Sequence, residues 1–463
     1  MSYIGNNPVT QSFISGTDYF NGTGSQTAFT LSRTVASIND IQVTVNNVVQ
    51  QPNDAYTISG TTLTMTSAPS AGTQNVYVRY LSTTTQAITP SQGTVSWSTL
   101  NSDVQQDLGI SFKNRIINGA MVINQRALGT TTINSGSAWV YTLDRWSAIG
   151  ESALGVYTLQ QSSTAPAGFV NSLLATVTTS TTPSSGHLYV IRQVIEGYNV
   201  ADLGWGTASA KTVTLSFQVY SSLTGTFGGA IGNSAGNRSY PFTYTVSSAN
   251  TWTSVSITIT GDTSGTWSTT SSGGLYVYLG LGVGSASSGT AGAWAGALYF
   301  SATGATNIMG TNGATFYLTG VQLEVGTQAT TFTTAGGSYG AELALCQRYY
   351  QQYNSTGDNA AFMAPGYCDT SSRAFCTFQF PVYMRSAPSL TVISATAFAL
   401  YNVPADTVAA SSITLTGGAS TNGIVSAATI TVNSSGVFTA GRGTVLKDAS
   451  TSSAGRLQFS AEL

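Results

Sequence analysis

The chain has 463 residues, a formal net charge of −2, and only 7% charged residues against 41% hydrophobic ones. An ordinary soluble domain carries roughly 25% charged residues, so this surface is neutral and hydrogen-bonding, with no basic patch for nucleic acid. The apolar share is high enough for packed cores, which excludes a disordered chain, and no run of about 18 apolar residues marks a membrane-spanning helix. At about 150 residues per domain, the length predicts roughly three domains. Met1 to Thr10 lacks basic residues followed by an apolar run, so no cleaved secretory signal is expected and folding in a cytoplasm is. Cys346, Cys368 and Cys376 form an odd, scattered set. Their spacing predicts buried free thiols rather than a disulfide framework or a zinc site. A surface of Ser, Thr, Gly and Asn suits a structural protein, or one that binds neutral polar ligands such as sugars.

Residues 1–82 read as a small β domain. Ile41 to Val45 alternates apolar and polar, Asn46-Asn47 supplies a turn, and Val48-Val49 returns. Tyr56 to Met65, broken at Ser59-Gly60, reads as a second hairpin, and Val76 to Tyr80 as a closing strand. Residues 83–112 change character. Thr83 to Thr85 and Pro90 mark a linker, and Ser98 caps a short helix with Leu100, Val104 and Leu108 on one face and Trp97 in phase. Such a helix is marginal alone. It packs either against its own chain or with two further copies as a short trimeric neck.

Residues 113–335 carry repeated period-two patterns at 188–194, 212–220, 255–260, 275–279 and 316–323. Each predicts a strand with one buried and one wet face. Gly-rich stretches at 225–237 and 282–292 read as loops, and about eight strands with long connections predict a jelly-roll sandwich. Residues 336–354 predict a helical junction with Leu343, Cys346, Tyr350 and Tyr353 as its stripe, a second neck. Residues 355–463 predict a distal β domain with strands at 375–380, 389–393 and 456–459. The fold class expected is therefore all-β: serial β-sandwich or jelly-roll domains joined by short helical necks. No fixed short repeat supports a solenoid.

Sugars are held by aromatic faces plus fixed hydrogen-bonding groups. Trp205, Trp252, Trp267 and Trp294 lie in Gly-, Ser- or Thr-rich segments where such faces can be exposed. The alternative for each is packing at strand ends. In the distal domain Tyr367, Asp369, Arg373, Tyr401, Asn402 and Asp406 lie in loop-like settings, where binding residues concentrate. Trp146 is expected in the core, with Arg145 paired to an acidic partner. His187, the only histidine, sits in a turn entering a strand and is expected to be structural. Glu196 and Asp202 are the nearest acidic pair in the middle domain, and structural roles are expected for both rather than glycoside cleavage. Asp144, Asp202 and Asp262 lack the dense ligand spacing of a cation site. No catalytic residue, cofactor or metal is expected.

Several stretches resemble phage tail fibre proteins. Asn114 to Met121, with Asn124-Gln125-Arg126 and Asp144-Arg145-Trp146, looks like the entry to a sandwich module of such fibres, as does Gly197 to Leu203. Phe316 to Gly326 matches the module's closing strand, Glu342 to Tyr350 the junction to a variable distal domain, and Phe20 to Leu31 the tail-anchoring module. The resemblance implies a homotrimer attached through residues 1–82 to a phage tail or adaptor protein, with its distal domains binding a host surface glycan or outer-membrane receptor. It also implies assembly in the host cytoplasm without a signal peptide, residence in the virion tail, and no membrane insertion. The sandwich is similar to carbohydrate-binding jelly rolls, which implies saccharide recognition. The alternatives are a non-adhesive connector and a polysaccharide depolymerase.

Overall fold

The computed structural model describes residues 16–81, 112–126, 129–134, 136, 138–151, 154–355, 362–402, 406–421, 424–435, 438–449 and 455–463. The expected neck residues Trp97, Leu100, Val104 and Leu108 lie outside them. The chain divides into two compact units, Met1–Thr99 and Leu100–Leu463.

In the first unit, alternation gives strands β1 (Thr17–Gly22), β2 (Ala28–Thr30), β3 (Ile41–Val45), β4 (Val48–Val49), β5 (Tyr56–Ser59), β6 (Thr62–Met65) and β7 (Gly72–Tyr80). They form two antiparallel sheets, ordered β1-β7-β3-β4 and β2-β6-β5. Asn46 and Asn47 both take positive φ, 48° and 64°, as a two-residue turn matched to the strand twist requires. The inward residues Val43, Leu63, Val76, Val78 and Tyr56 fill the core.

The second unit begins with a twelve-stranded sandwich. Its strands are β8 (Thr131–Ile133), β9 (Val140–Leu143), β10 (Trp146–Gly150), β11 (Val156–Ser162), β12 (Ser172–Thr179), β13 (Leu188–Glu196), β14 (Val213–Ser221), β15 (Gly225–Asn233), β16 (Ser239–Val246), β17 (Thr253–Ile259), β18 (Gly273–Val283) and β21 (Thr315–Val325). The short β19 (Ser288–Gly289) and β20 (Ser301–Ala302) lie in the connection before β21. One sheet runs β16-β15-β18-β13-β10-β9 and the other β17-β14-β21-β12-β11-β8. Between them lies one apolar core containing Trp146, Phe217, Phe227 and Phe316.

The stretch 225–237, expected as a Gly-rich loop, contains the strand β15. Its glycines answer to crowding on both faces. A Cβ on Gly229 would meet the Phe242 ring at 2.5 Å, and one on Gly228 the backbone nitrogen of Ala302 at 2.9 Å.

Asn114 to Met121 enters the sandwich as a buried, non-strand ribbon whose asparagines replace a strand partner. Asn114 Oδ1 accepts from the backbone of Ile116 (2.9 Å) and Leu323 (3.1 Å), and its Nδ2 donates to the Val321 carbonyl (3.1 Å). Asn118 Nδ2 donates to the carbonyls of Ile123 (2.8 Å) and Asp144 (3.0 Å). Buried backbone groups must be paired, and these side chains pair them.

Helix α1 spans Tyr339–Gln347, capped by Ser338. It is shorter than the stripe read from sequence. Leu343 and Cys346 lie on it, but Tyr350 and Tyr353 fall in the strand β22 (Tyr350–Asn354). Cys346 packs with Ile117, Ile123 and Tyr349 of its own chain, and Tyr353 packs on Phe378 at 4.9 Å. β22 pairs with β30 (Arg456–Ser460), which pairs with β25 (Ser389–Ile393). The strands β23 (Phe362–Cys368), β24 (Arg373–Met384), β26 (Phe398–Asn402), β27 (Asp406–Thr421), β28 (Ile424–Ser434) and β29 (Gly443–Asp448) close a barrel in the order β23-β24-β28-β27-β26-β29.

A buried ionic junction ties the C-terminal segments to the sandwich. Arg145, at φ +70°, pairs with Glu462, which also takes Arg126 at 2.9 Å. Glu196 accepts both forks of Arg348 (2.9 and 2.6 Å) and the Tyr349 hydroxyl (2.6 Å). Arg385 donates to the carbonyls of Ser271 and Glu462. Among the described residues no helix is long and apolar enough to cross a membrane.

Candidate functional site

The two sheets of the sandwich present different outer surfaces. Behind β10, β13, β15 and β18, the outward side chains of Ile149, Val190, Ala230 and Tyr278 are buried under Trp139, Leu298 and Phe300. The Phe300 ring meets Tyr278 edge-on at 4.8 Å. That face is closed by the chain itself.

The outer face of the other sheet is open. Along β14, Leu215, Phe217 and Val219 point into the core, while Ser216, Gln218 and Tyr220 are half-buried on the outside. Register places Tyr220 opposite Tyr317 of β21, and Gln218 opposite both Ser254 of β17 and Thr319 of β21. Trp252, just ahead of β17, completes an aromatic trio. Its ring lies 5.5 Å from Tyr220 and 6.2 Å from Tyr317, with Tyr220 and Tyr317 5.0 Å apart. Next to the trio along β14 runs a groove of about 490 Å³, with Ser216, Gln218, Ser254 and Ser256 among its lining residues. Phe169 and Phe332, 5.0 Å apart, also line it. The Ser254 hydroxyl donates to Gln218 Oε1 at 3.0 Å, which fixes the amide. Gly320 takes φ +63°, and a Cβ there would meet Phe169 at 2.7 Å, so glycine is needed to seat that wall. The groove volume falls in the range of small-molecule sites.

Among the described residues no charged side chain lines the groove, and the trio itself is uncharged. The six strands of this sheet carry one charged residue, Glu324. Its carboxylate is buried and accepts from the Thr330 backbone (2.9 Å) and hydroxyl (2.7 Å).

Of the four tryptophans read as candidates, Trp252 alone belongs to this face. Trp205, Trp267 and Trp294 converge instead with mutual ring distances of 4.7, 5.3 and 5.6 Å, all edge-to-face. Their indole nitrogens donate to Lys211 O, to Asp262 Oδ2 and Ser264 O, and to Thr260 O. Arg238 grips the Asp262 carboxylate at 2.8 and 2.6 Å. The rings are spent on each other and on the core, so this cluster splints the loops at one end of the sandwich. Each such aromatic pair adds about 0.5–1.5 kcal/mol.

In the barrel, Tyr367 is 53% exposed and lies 5.7 Å from Phe375. Asp369 and Arg373 form an ion pair across the turn between β23 and β24. Tyr401 lies 5.9 Å from Phe362, beneath the Lys447 ammonium at 5.4 Å. Phe362, Tyr401 and Val445 line a shallow hollow of about 520 Å³. Gly443 pairs with Tyr367 and Val445 with Tyr401, so both aromatic groups flank β29. Asn402 and Asp406 pair in register between β26 and β27, and their side chains lie outside the described residues.

The remaining reactive groups are held in structural contacts. His187 Nδ1 accepts from the Ser184 backbone at 3.2 Å. Glu196 is held by Arg348 and Tyr349, and Asp202 pairs with Arg115 at 2.7 Å. Asp144 is buried and accepts from the Gln125 backbone and amide. Burial lifts its pKa to about 6, against the pull of Arg126. Burial likewise pushes the Cys376 thiol up to about 12, which makes it inert as a nucleophile. Among the described residues no three His, Cys, Asp or Glu side chains gather as metal ligands.

Sequence reading missed Tyr220, Tyr317, Phe169, Phe332 and Gln218. A signal was present for the tyrosines: each is a large aromatic in the polar phase of an alternating strand, Tyr220 after Phe217 and Val219, and Tyr317 between Phe316 and Leu318. Phe169 and Phe332 lie in loops and carry no such periodic mark.

No protein-family model matches the chain, and no curated protein matches it. Solved structures do. A putative sugar-binding protein from Bacteroides thetaiotaomicron is 14% identical over 46% of this chain and 100% of its own, at a TM-score of 0.27. A family 11 carbohydrate-binding module from Clostridium thermocellum is 11% identical over 44% and 99%, at 0.24. The enzymatically active domain of tailspike protein 4 from bacteriophage CBA120 is 11% identical over 47% of this chain and 22% of its own, at 0.23. At TM-scores of this size the likenesses carry no argument about how this chain acts.

Proposed function

We propose that the chain is a phage tail fibre subunit that holds a host surface saccharide on the open face of its sandwich. The observation that carries the saccharide reading is the trio Tyr220, Trp252 and Tyr317 abutting a groove of fixed amide and hydroxyl groups. A pyranose has an apolar face that stacks on such rings and an edge of hydroxyls that such groups read. The fibre assignment is supported by the stretches that resemble such proteins and by a low-charge, all-β chain. In this reading residues 1–82 dock on a tail or adaptor protein, three copies assemble, and the product is made in the host cytoplasm and resides in the virion tail. The barrel adds contacts to a host glycan or outer-membrane receptor through Tyr367 and the Phe362–Tyr401 hollow.

The role is binding rather than turnover. Glu196 and Asp202, the nearest acidic pair of the sandwich, are engaged by arginines. Shallow sites of this kind bind weakly alone. Repetition in one assembly raises avidity by about 10²–10⁴.

The test compares purified wild-type chain with Trp252→Ala for binding to cells of the host strain. A loss of at least tenfold with unchanged thermal melting is expected, and equal binding overturns the face as the contact. Native mass should come out near three times the chain mass.

A further inference from the structure

We infer that the open face takes an uncharged, extended glycan chain of at least two rings, an inference that rests on this face being the saccharide site. The first observation is electrostatic. Among the described residues the groove and trio contain no cation to meet a uronate, sialate, sulfate or phosphate group. The single charged residue on the sheet's strands, Glu324, is buried and already engaged by Lys113 at 3.8 Å and by Thr330, so it offers such a group nothing. An anion laid against Phe169, Phe332, Tyr220 or Trp252 would lose water with no compensating partner, which is costly. It would also meet the negative faces of the aromatic rings.

The second observation is length. Ser216 and Gln218 in the groove and Tyr220 in the trio occupy alternate positions of one strand. At about 3.3 Å per residue the row from Ser216 to Tyr220 spans about 13 Å. That exceeds one pyranose ring. The third is the order of chemistry along it: hydroxyls and an amide at Ser216, Ser256, Gln218 and Ser254, then three aromatic rings. One sugar can be read by its hydroxyls while the next stacks. A lone monosaccharide meets only half of the face.

The experiment uses the full chain on a printed panel of neutral hexose and N-acetylhexosamine oligomers, one to six units long. Set against them are uronate-, sialate- and sulfate-bearing oligomers of the same lengths. Trp252→Ala and Gln218→Ala are run beside wild type, with thermal melting as the folding control. The expected result is binding to neutral oligomers of two or more units. Each variant should reduce it at least tenfold, at salt-independent affinity. Preference for acidic oligomers that still depends on Trp252 overturns the inference and leaves the saccharide face standing. Full binding by monosaccharides also overturns the extended mode alone. No Trp252-dependent binding anywhere on the panel overturns the face and the inference together.

Discussion

The two sheets of the sandwich are built from the same alternation and end in opposite states. The sheet containing β10, β13, β15 and β18 carries apolar or glycine residues in its outward phase, and the chain folds back to cover them. The sheet containing β14, β17 and β21 carries Ser, Thr and Gln there, interrupted by aromatics, and stays open. Burial on both faces is a demand of stability, and a glycine row meets it by letting a second layer approach. Large rings left in a wet phase gain nothing in stability from being exposed. That contrast separates residues that hold the fold from residues available to a ligand.

The contrast can be broken from either side. The largest effect on stability is expected where the covered sheet meets the C-terminal segment after β30. Arg145→Ala removes one partner of a fully buried ion pair, and such losses cost about 3–5 kcal/mol. Chemical denaturation should show it, and a near-neutral result would mean that Arg126 alone satisfies Glu462. Next comes Gly228→Val, which drives a branched side chain into the backbone of Ala302 in the covering layer. Overpacking of this sort costs about 1–3 kcal/mol, read as a lowered melting temperature.

On the open sheet, Tyr317→Ala should move stability by less than about 1 kcal/mol while weakening neutral-oligomer binding. If it lowers stability as much as Gly228→Val does, the two faces are not different in kind.

The smallest effect concerns pH. Asp144 has its folded pKa raised to about 6 by burial, above its value in the unfolded chain. Its contribution is therefore fully present below about pH 4 and is lost as pH rises through about 6. Wild type should gain stability from pH 7 to pH 5 relative to Asp144→Asn, measured by melting at each pH. Parallel curves would show that another group titrates instead.

Much of this architecture was legible in the sequence, because period-two patterning is a direct consequence of burying one strand face. The strands at 188–196, 213–221 and 253–259 stand where alternation predicts them. Trp146 fills the core with Arg145 paired beside it, as expected. Other features were not legible. Glycine in β15 reads as a loop because the layer that demands it comes from residues some seventy positions later. Tyr350 and Tyr353 continue a helical spacing, but pairing with β30 draws them into a strand. Three of the four candidate tryptophans share a local Gly/Ser/Thr setting with Trp252, and long-range packing turns them inward. Composition around a ring does not report which neighbours the fold will bring to it.

The ionic junction has a consequence for exchanging the C-terminal domain. Transplanting residues 355–463 onto another scaffold would carry Glu462 away from Arg126 and Arg145, and Arg385 away from Ser271. A working chimera has to move those sandwich residues with the barrel, so the unit of exchange begins well upstream of the helix.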